Sequence, residues 1–176
     1  MTHEQQGSSR LDQILLDVEQ RVDSILTQRS DWLCRKGCDG CCRRLAEPPQ
    51  LTLPEWERIW HAFLELSEPL QRTIRARVET LRTQTHGPFS CPFLQHHEGA
   101  CMIYAARPVA CRTYGFYRSR DQGLYCKDIQ REVDHRSLDD VVWGNQDVVD
   151  LRLKGLGSTR SLLQWFRDGS MDSVTL

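Results

Sequence analysis

Eight cysteines in two clusters constrain this chain more than any other feature. The first cluster is Cys34-x3-Cys38-x2-Cys41-Cys42, and the second is Cys91-x9-Cys101-x9-Cys111-x14-Cys126. Two or three intervening residues let a tight turn aim two thiolates at one ion, and Gly37 and Gly40 supply the backbone freedom such turns need. A lone cysteine is usually a small apolar filler, but neighbouring thiols in a glycine-bearing loop are poor core material. A disulfide framework is disfavoured on two grounds. A bridge between adjacent Cys41 and Cys42 would be strained. The first nine residues are polar, with no apolar h-region, so the expectation is no signal peptide and a cytoplasmic chain whose thiols stay reduced. No apolar run approaches the ~18 residues of a membrane span.

The formal net charge is −1, so global charge steers no partner. Local charge is less even. Cys34–Arg44 holds four bases and one acid, Arg107–Arg120 holds four arginines and no acid, and Leu11–Asp31 holds five acids and two bases. Positive charge therefore gathers where the cysteines are. Nearby cations lower a thiol pKa and offset the negative charge of a thiolate site. Arg107 and Arg112 are the expected cofactor-binding arginines, donating hydrogen bonds to sulfur from behind the ligands.

The rest of the 176 residues reads as mainly α: a single small domain with an irregular cysteine-rich metal-binding centre. Positions 1–9 are expected to be a disordered tail, 10–168 one helical domain with its core motifs at 32–126, and 169–176 a loose end. Leu11, Ile14, Leu15, Val18, Val22, Ile25 and Leu26 follow helical spacing and predict an amphipathic helix over 10–31. Thr52-Leu53-Pro54-Glu55 reads as a capping box opening a helix that buries Trp56, Ile59, Trp60 and Phe63. Ser67-Glu68-Pro69 starts a second, with Leu70, Ile74, Val78 and Leu81 on one face, as a helical hairpin ended by His86-Gly87-Pro88. Short, irregular structure is expected over 88–128, with one turn at 103–106. Ser137-Leu138-Asp139-Asp140 looks like a helix start, and 161–167 like a last short helix. Strand patterns are nearly absent.

Cys34-Arg35-Lys36-Gly37-Cys38-Asp39-Gly40-Cys41-Cys42, then Cys91-Pro92-Phe93-Leu94, then Cys101-Met102-Ile103-Tyr104-Ala105-Ala106-Arg107-Pro108-Val109-Ala110-Cys111-Arg112-Thr113-Tyr114 occur in order. Together they resemble the CxxCxxCC family, the YkgJ-like cysteine-cluster proteins regarded as a zinc- or iron-chelating domain. The last stretch follows the family's C-x-IY-x2-RP-x2-CR-x-[FY] signature. The first spacing is x3 where the family has x2, and Cys126 lies outside the core motifs. The resemblance implies metal held by cysteines, as zinc or an iron–sulfur centre, and members often carry the label Fe–S oxidoreductase. The flagellin lysine methylases resemble the same cysteine pattern, but their methylase-specific portion is not recognisable here.

Zinc takes four tetrahedral thiolates, and an Fe–S cluster takes four cysteines, or three with one open iron. Both accept thiolate sulfur. The arginine surround, the vicinal pair and the wide loops tilt the reading slightly toward Fe–S. The leading expectation is thus a metal-binding protein that holds an Fe–S cluster or Zn2+ through Cys34, Cys38, Cys41, Cys42, Cys91, Cys101, Cys111 and Cys126, with a redox role left open. One alternative is a structural zinc module without catalysis. Another is a modifying enzyme whose cluster activates a cofactor. Cys34-x3-Cys38-x2-Cys41 has the radical S-adenosylmethionine spacing, but Gly40 stands where those enzymes usually carry an aromatic, and no βα alternation follows. A thioredoxin-type Cys38–Cys41 pair lacks its βαβ context. A c-type haem would need histidine where Cys42 stands. His96 and His97 read as an exposed loop pair rather than ligands. Nucleic acid is not an expected partner, because few aromatics flank the arginines, and a membrane is not expected either. A redox or protein partner stays open.

Overall fold

The computed structural model describes residues 3–120 and 122–168. In chain order the elements are α1 (His3–Gln28), α2 (Gly40–Arg43), β1 (Gln50–Leu51), α3 (Leu53–Leu64), α4 (Glu68–Thr83), β2 (Leu94–Gln95), β3 (Ala100–Cys101), a 3-10 turn (Tyr104–Ala106), α5 (Val109–Thr113), β4 (Tyr117–Ser119), β5 (Gln122–Leu124), α6 (Lys127–Asp134), β6 (Gly144–Asn145), α7 (Gln146–Lys154), β7 (Arg160–Ser161) and α8 (Leu162–Arg167). Helices dominate, with small sheets among them. The strands are two or three residues long, too short to print an alternating pattern on the sequence.

Packing gathers these elements into two compact units, where the sequence reading takes 10–168 as one domain. The first unit runs up to Cys38 and takes in Pro108–Gly157; the second is Asp39–Arg107 plus the residues from Ser158 on. Each has its own apolar core.

In the first unit, α1 buries Leu11, Ile14, Leu15, Val18 and Ile25 against Val109, Phe116, Tyr117, Ile129 and Val149. Each side chain so buried is worth about 1.5–3 kcal/mol relative to exposure. Trp32 stacks on Phe116 with ring centroids 5.8 Å apart. The Asp17 carboxylate accepts from Arg152 of α7 at 2.6 Å. Its three-stranded sheet has the order β5-β4-β6. β4 pairs antiparallel with β5, placing Tyr117 opposite Leu124, and parallel with β6, placing Tyr117 opposite Gly144.

Three expectations change here. The first helix begins at His3 rather than 10, because Glu4, Gln5 and Gln6 are good helix formers with no breaker before them. Positions 3–9 are thus helical rather than a loose tail. The helix expected from Ser137 does not form there, because Gly144 and Asn145 extend to pair with β4. The helix instead starts at Gln146, where the Asn145 side chain accepts from the Val148 N–H at 3.2 Å. Lys127–Asp134 is helical, and its first two residues fall within the 88–128 stretch expected to be short and irregular. The tail expected at 169–176 lies outside the described residues.

In the second unit the capping box forms as its spacing predicts. The buried Glu55 carboxylate accepts from the Thr52 N–H at 2.9 Å and from its hydroxyl at 2.8 Å. Trp56, Ile59, Trp60 and Phe63 of α3 join Ile74 and Val78 of α4 in one core. Leu70, expected on the same face, is exposed. Strands β1 and β7 pair antiparallel, and α8 brings Leu162 and Trp165 into the core. Trp165 stacks on Trp56 at 5.9 Å, and its indole N–H donates to the Leu51 carbonyl at 3.1 Å.

Candidate metal centre

The second unit holds Cys41, Cys42, Cys91 and Cys101. The one-turn helix α2 carries Cys41 and Cys42, whose sulfurs stand 4.0 Å apart. The Cys91 N–H donates to the Cys42 carbonyl at 2.7 Å, fastening the two sequence clusters to each other through the backbone. Three residues on, β2 and β3 form a hairpin in which Leu94 pairs with Cys101. Arg77 of α4 reaches under this loop and donates to the Pro92 carbonyl at 3.1 Å and the Leu94 carbonyl at 2.7 Å. Arg43 anchors the other side: it pairs with Asp39 at 2.6 Å and donates to the His96 carbonyl at 2.9 Å.

These sulfurs share an electrostatic environment. The Cys42 thiol's hydrogen bond to Cys41, backed by backbone donors and the Arg107 charge, lowers the Cys41 thiol to about 7. Burial pushes Cys91 up to about 12, and charge on Cys101 or Cys41 would push the same way. Burial also raises Cys101, against which the Arg107 charge acts. Arg107 lies over the Tyr104 ring, 3.6 Å from its centroid, with its Nε–H donating to the Tyr104 carbonyl at 3.2 Å. A rigid cation is thereby held where two of the four thiols feel it.

The first unit holds Cys34, Cys38, Cys111 and Cys126. The Cys34 thiol donates to the Tyr114 carbonyl at 3.6 Å and packs with Cys126 against the core around Trp32. Gly115 follows at φ +91°, and a Cβ placed on it would lie 2.8 Å from the Cys34 sulfur. Only glycine suits both that backbone and that approach. Cys111 sits half-buried within α5, Cys126 precedes the first turn of α6, and Cys38 is exposed on a turn whose N–H donates to the Arg35 carbonyl at 2.9 Å. Arg112 forms an ion pair with Glu19 of α1.

None of the eight cysteines is in a disulfide. Among the described residues, no three His, Cys, Asp or Glu side chains already stand as a metal-holding group. The donor chemistry of the second unit's four nevertheless fits a thiophilic ion. Two sulfurs bound to one tetrahedral zinc at about 2.3 Å stand about 3.8 Å apart, and the Cys41–Cys42 spacing is close to that edge. Ligands on different irons of a cluster stand further apart, because their metals are themselves separated.

Arg77, Arg43, Asp39 and Gly115 shape these surroundings without having been singled out. Arg77 lies in a helix read only for its apolar face. The glycine in Tyr114-Gly115-Phe116 was the one local signal, a backbone position set between two bulky residues.

No curated protein and no solved structure matches the chain. A family model described as CxxCxxCC, putative zinc- or iron-chelating domain, matches residues 33–135, a span that holds every cysteine. On that match, this chain belongs to the CxxCxxCC family of zinc- or iron-chelating domains.

Proposed function

We propose that the chain is a cysteine-cluster metal-binding protein of the cytoplasm, whose thiolates hold an Fe–S centre with a redox role. The observation that carries this reading is the Cys41–Cys42 pair, its sulfurs 4.0 Å apart, with Cys91 hydrogen-bonded to the Cys42 backbone and Cys101 in the adjoining hairpin. A bound iron–sulfur centre would supply one-electron chemistry. The chain's own part is to present thiols that give up their protons as metal binds, to set the Arg107 charge beside Cys41 and Cys101, and to hold the loops in register through Arg77 and Arg43.

One observation favours a second reading, in which the same thiolates hold zinc as a structural ion. The 4.0 Å separation of Cys41 and Cys42 suits two ligands on a single metal atom. Elemental analysis with a visible spectrum, on protein purified without oxygen, separates the two. Iron with acid-labile sulfide and a sulfur-to-iron charge-transfer band supports the first reading. Colourless protein with zinc as its only metal supports the second. Protein that carries no metal, and takes up neither zinc nor iron with sulfide, rejects both.

A further inference from the structure

We infer that the eight cysteines form two four-thiolate metal sites, one within each unit: Cys41, Cys42, Cys91 and Cys101 in the second, and Cys34, Cys38, Cys111 and Cys126 in the first. The inference rests on the metal-binding reading above and adds the number of sites and the membership of each. Spacing alone groups Cys34 with Cys38, Cys41 and Cys42. The fold instead cuts both sequence clusters, because the chain passes from one unit to the other between Cys38 and Asp39 and between Arg107 and Pro108. Each unit is left with four sulfurs, the number that satisfies a tetrahedral ion or a four-cysteine cluster.

The second unit's set is tied by the Cys91–Cys42 backbone bond, by the 4.0 Å approach of the Cys41 and Cys42 sulfurs, and by the hairpin that pairs Leu94 with Cys101. In the first unit, Cys34 and the segments that carry Cys111 and Cys126 meet at Gly115. The Cys34 sulfur lies against that residue, which is four positions beyond Cys111. The Gly115 N–H donates to the Leu124 carbonyl at 2.7 Å, two positions before Cys126. Ile129 of α6, the helix Cys126 precedes, comes within 3.5 Å of the same Cβ position. Cys38 follows Cys34 by one turn and, being exposed, is free to close the set. Metal binding and ordering are coupled in such sites, so the ion draws in sulfurs that stand apart in its absence.

The test is an anaerobic titration of metal-free protein with Co2+ alone, read by the thiolate-to-cobalt charge-transfer and d–d bands. Two equivalents are expected for the unaltered chain, and one each for the C41S/C42S and C111S/C126S double variants. A companion measurement needs no variant. With one equivalent of Co2+ bound, alkylation and peptide mass mapping should find cysteines protected in whole sets of four, with members as assigned. One equivalent for the unaltered chain, abolished by either double variant, overturns the two-site inference and leaves the metal-binding reading standing. Protection that mixes the sets overturns the assigned membership. An unaltered chain that binds no cobalt overturns both.

Discussion

The Cys34 sulfur occupies the space a side chain on Gly115 would need, at 2.8 Å from the Cβ position. The backbone there is left-handed at φ +91°. Gly115→Ala therefore incurs about 1–2 kcal/mol of backbone strain before the sulfur has moved at all. Urea denaturation of the metal-free variant should show a lowered midpoint with an unchanged slope. A midpoint equal to that of the unaltered chain would mean that the Gly115 backbone is not left-handed and that Cys34 is not seated against it.

Arg77 should matter to metal binding without touching metal. Its two bonds, to the Pro92 and Leu94 carbonyls, set the path of the chain just after Cys91. Arg77→Met keeps the apolar stem and removes the donors. A loss of about 10–100-fold in metal affinity is expected, the usual effect of removing an outer partner of a ligand, measured by competition against a chromophoric chelator.

The thiols of the second unit should differ widely in reactivity once metal is removed. Cys41, at about 7, is partly thiolate in neutral buffer, whereas Cys91, at about 12, keeps its proton. Pulse alkylation followed by mass mapping should label Cys41 early, with a rate that rises through pH 7, and Cys91 late. The Cys91 shift has a stability consequence of definite sign. An unfolded thiol ionises near its ordinary value of 9.0 while the folded one holds its proton to about 12. The unfolded chain therefore binds fewer protons across that window, and metal-free protein loses stability as pH climbs from 9 toward 12. Thermal midpoints that stay flat over this range would contradict the burial of Cys91.

Thr52 caps α3 in a fully buried position. Thr52→Val preserves its shape and removes the hydroxyl that bonds Glu55 at 2.8 Å. A cost of about 0.5–2 kcal/mol is expected from the cap, read as a drop in denaturation midpoint, with the amount of metal bound per chain unaltered.

The longer helices and the metal-binding chemistry were legible in the sequence, and the unit boundaries were not. Thr52-Leu53-Pro54-Glu55 and the stripe from Leu11 to Ile25 declare themselves, because helix caps and amphipathic faces are local patterns. The match to Ser161–Arg167 has the same origin, as the Ser161 side chain accepts from the Gln164 N–H at 3.2 Å. Strand β6 and the late start of α7 escape such reading, since they depend on Tyr117 pairing with Gly144 from far along the chain. The cysteines show the same contrast. Their residue type announces a thiolate site, but the division between Cys38 and Cys41 depends on which core each flanking segment joins, and two residues of spacing carry no trace of it.

Neither unit is one continuous stretch of polypeptide, and that bears on how the molecule is made. The core around Trp32 still lacks Val149, and the core around Trp56 still lacks Leu162 and Trp165, after Cys126 has been added to the growing chain. Every sulfur is thus synthesised before the residues that complete either interior, so metal delivery and oxidation can both precede closure of the cores.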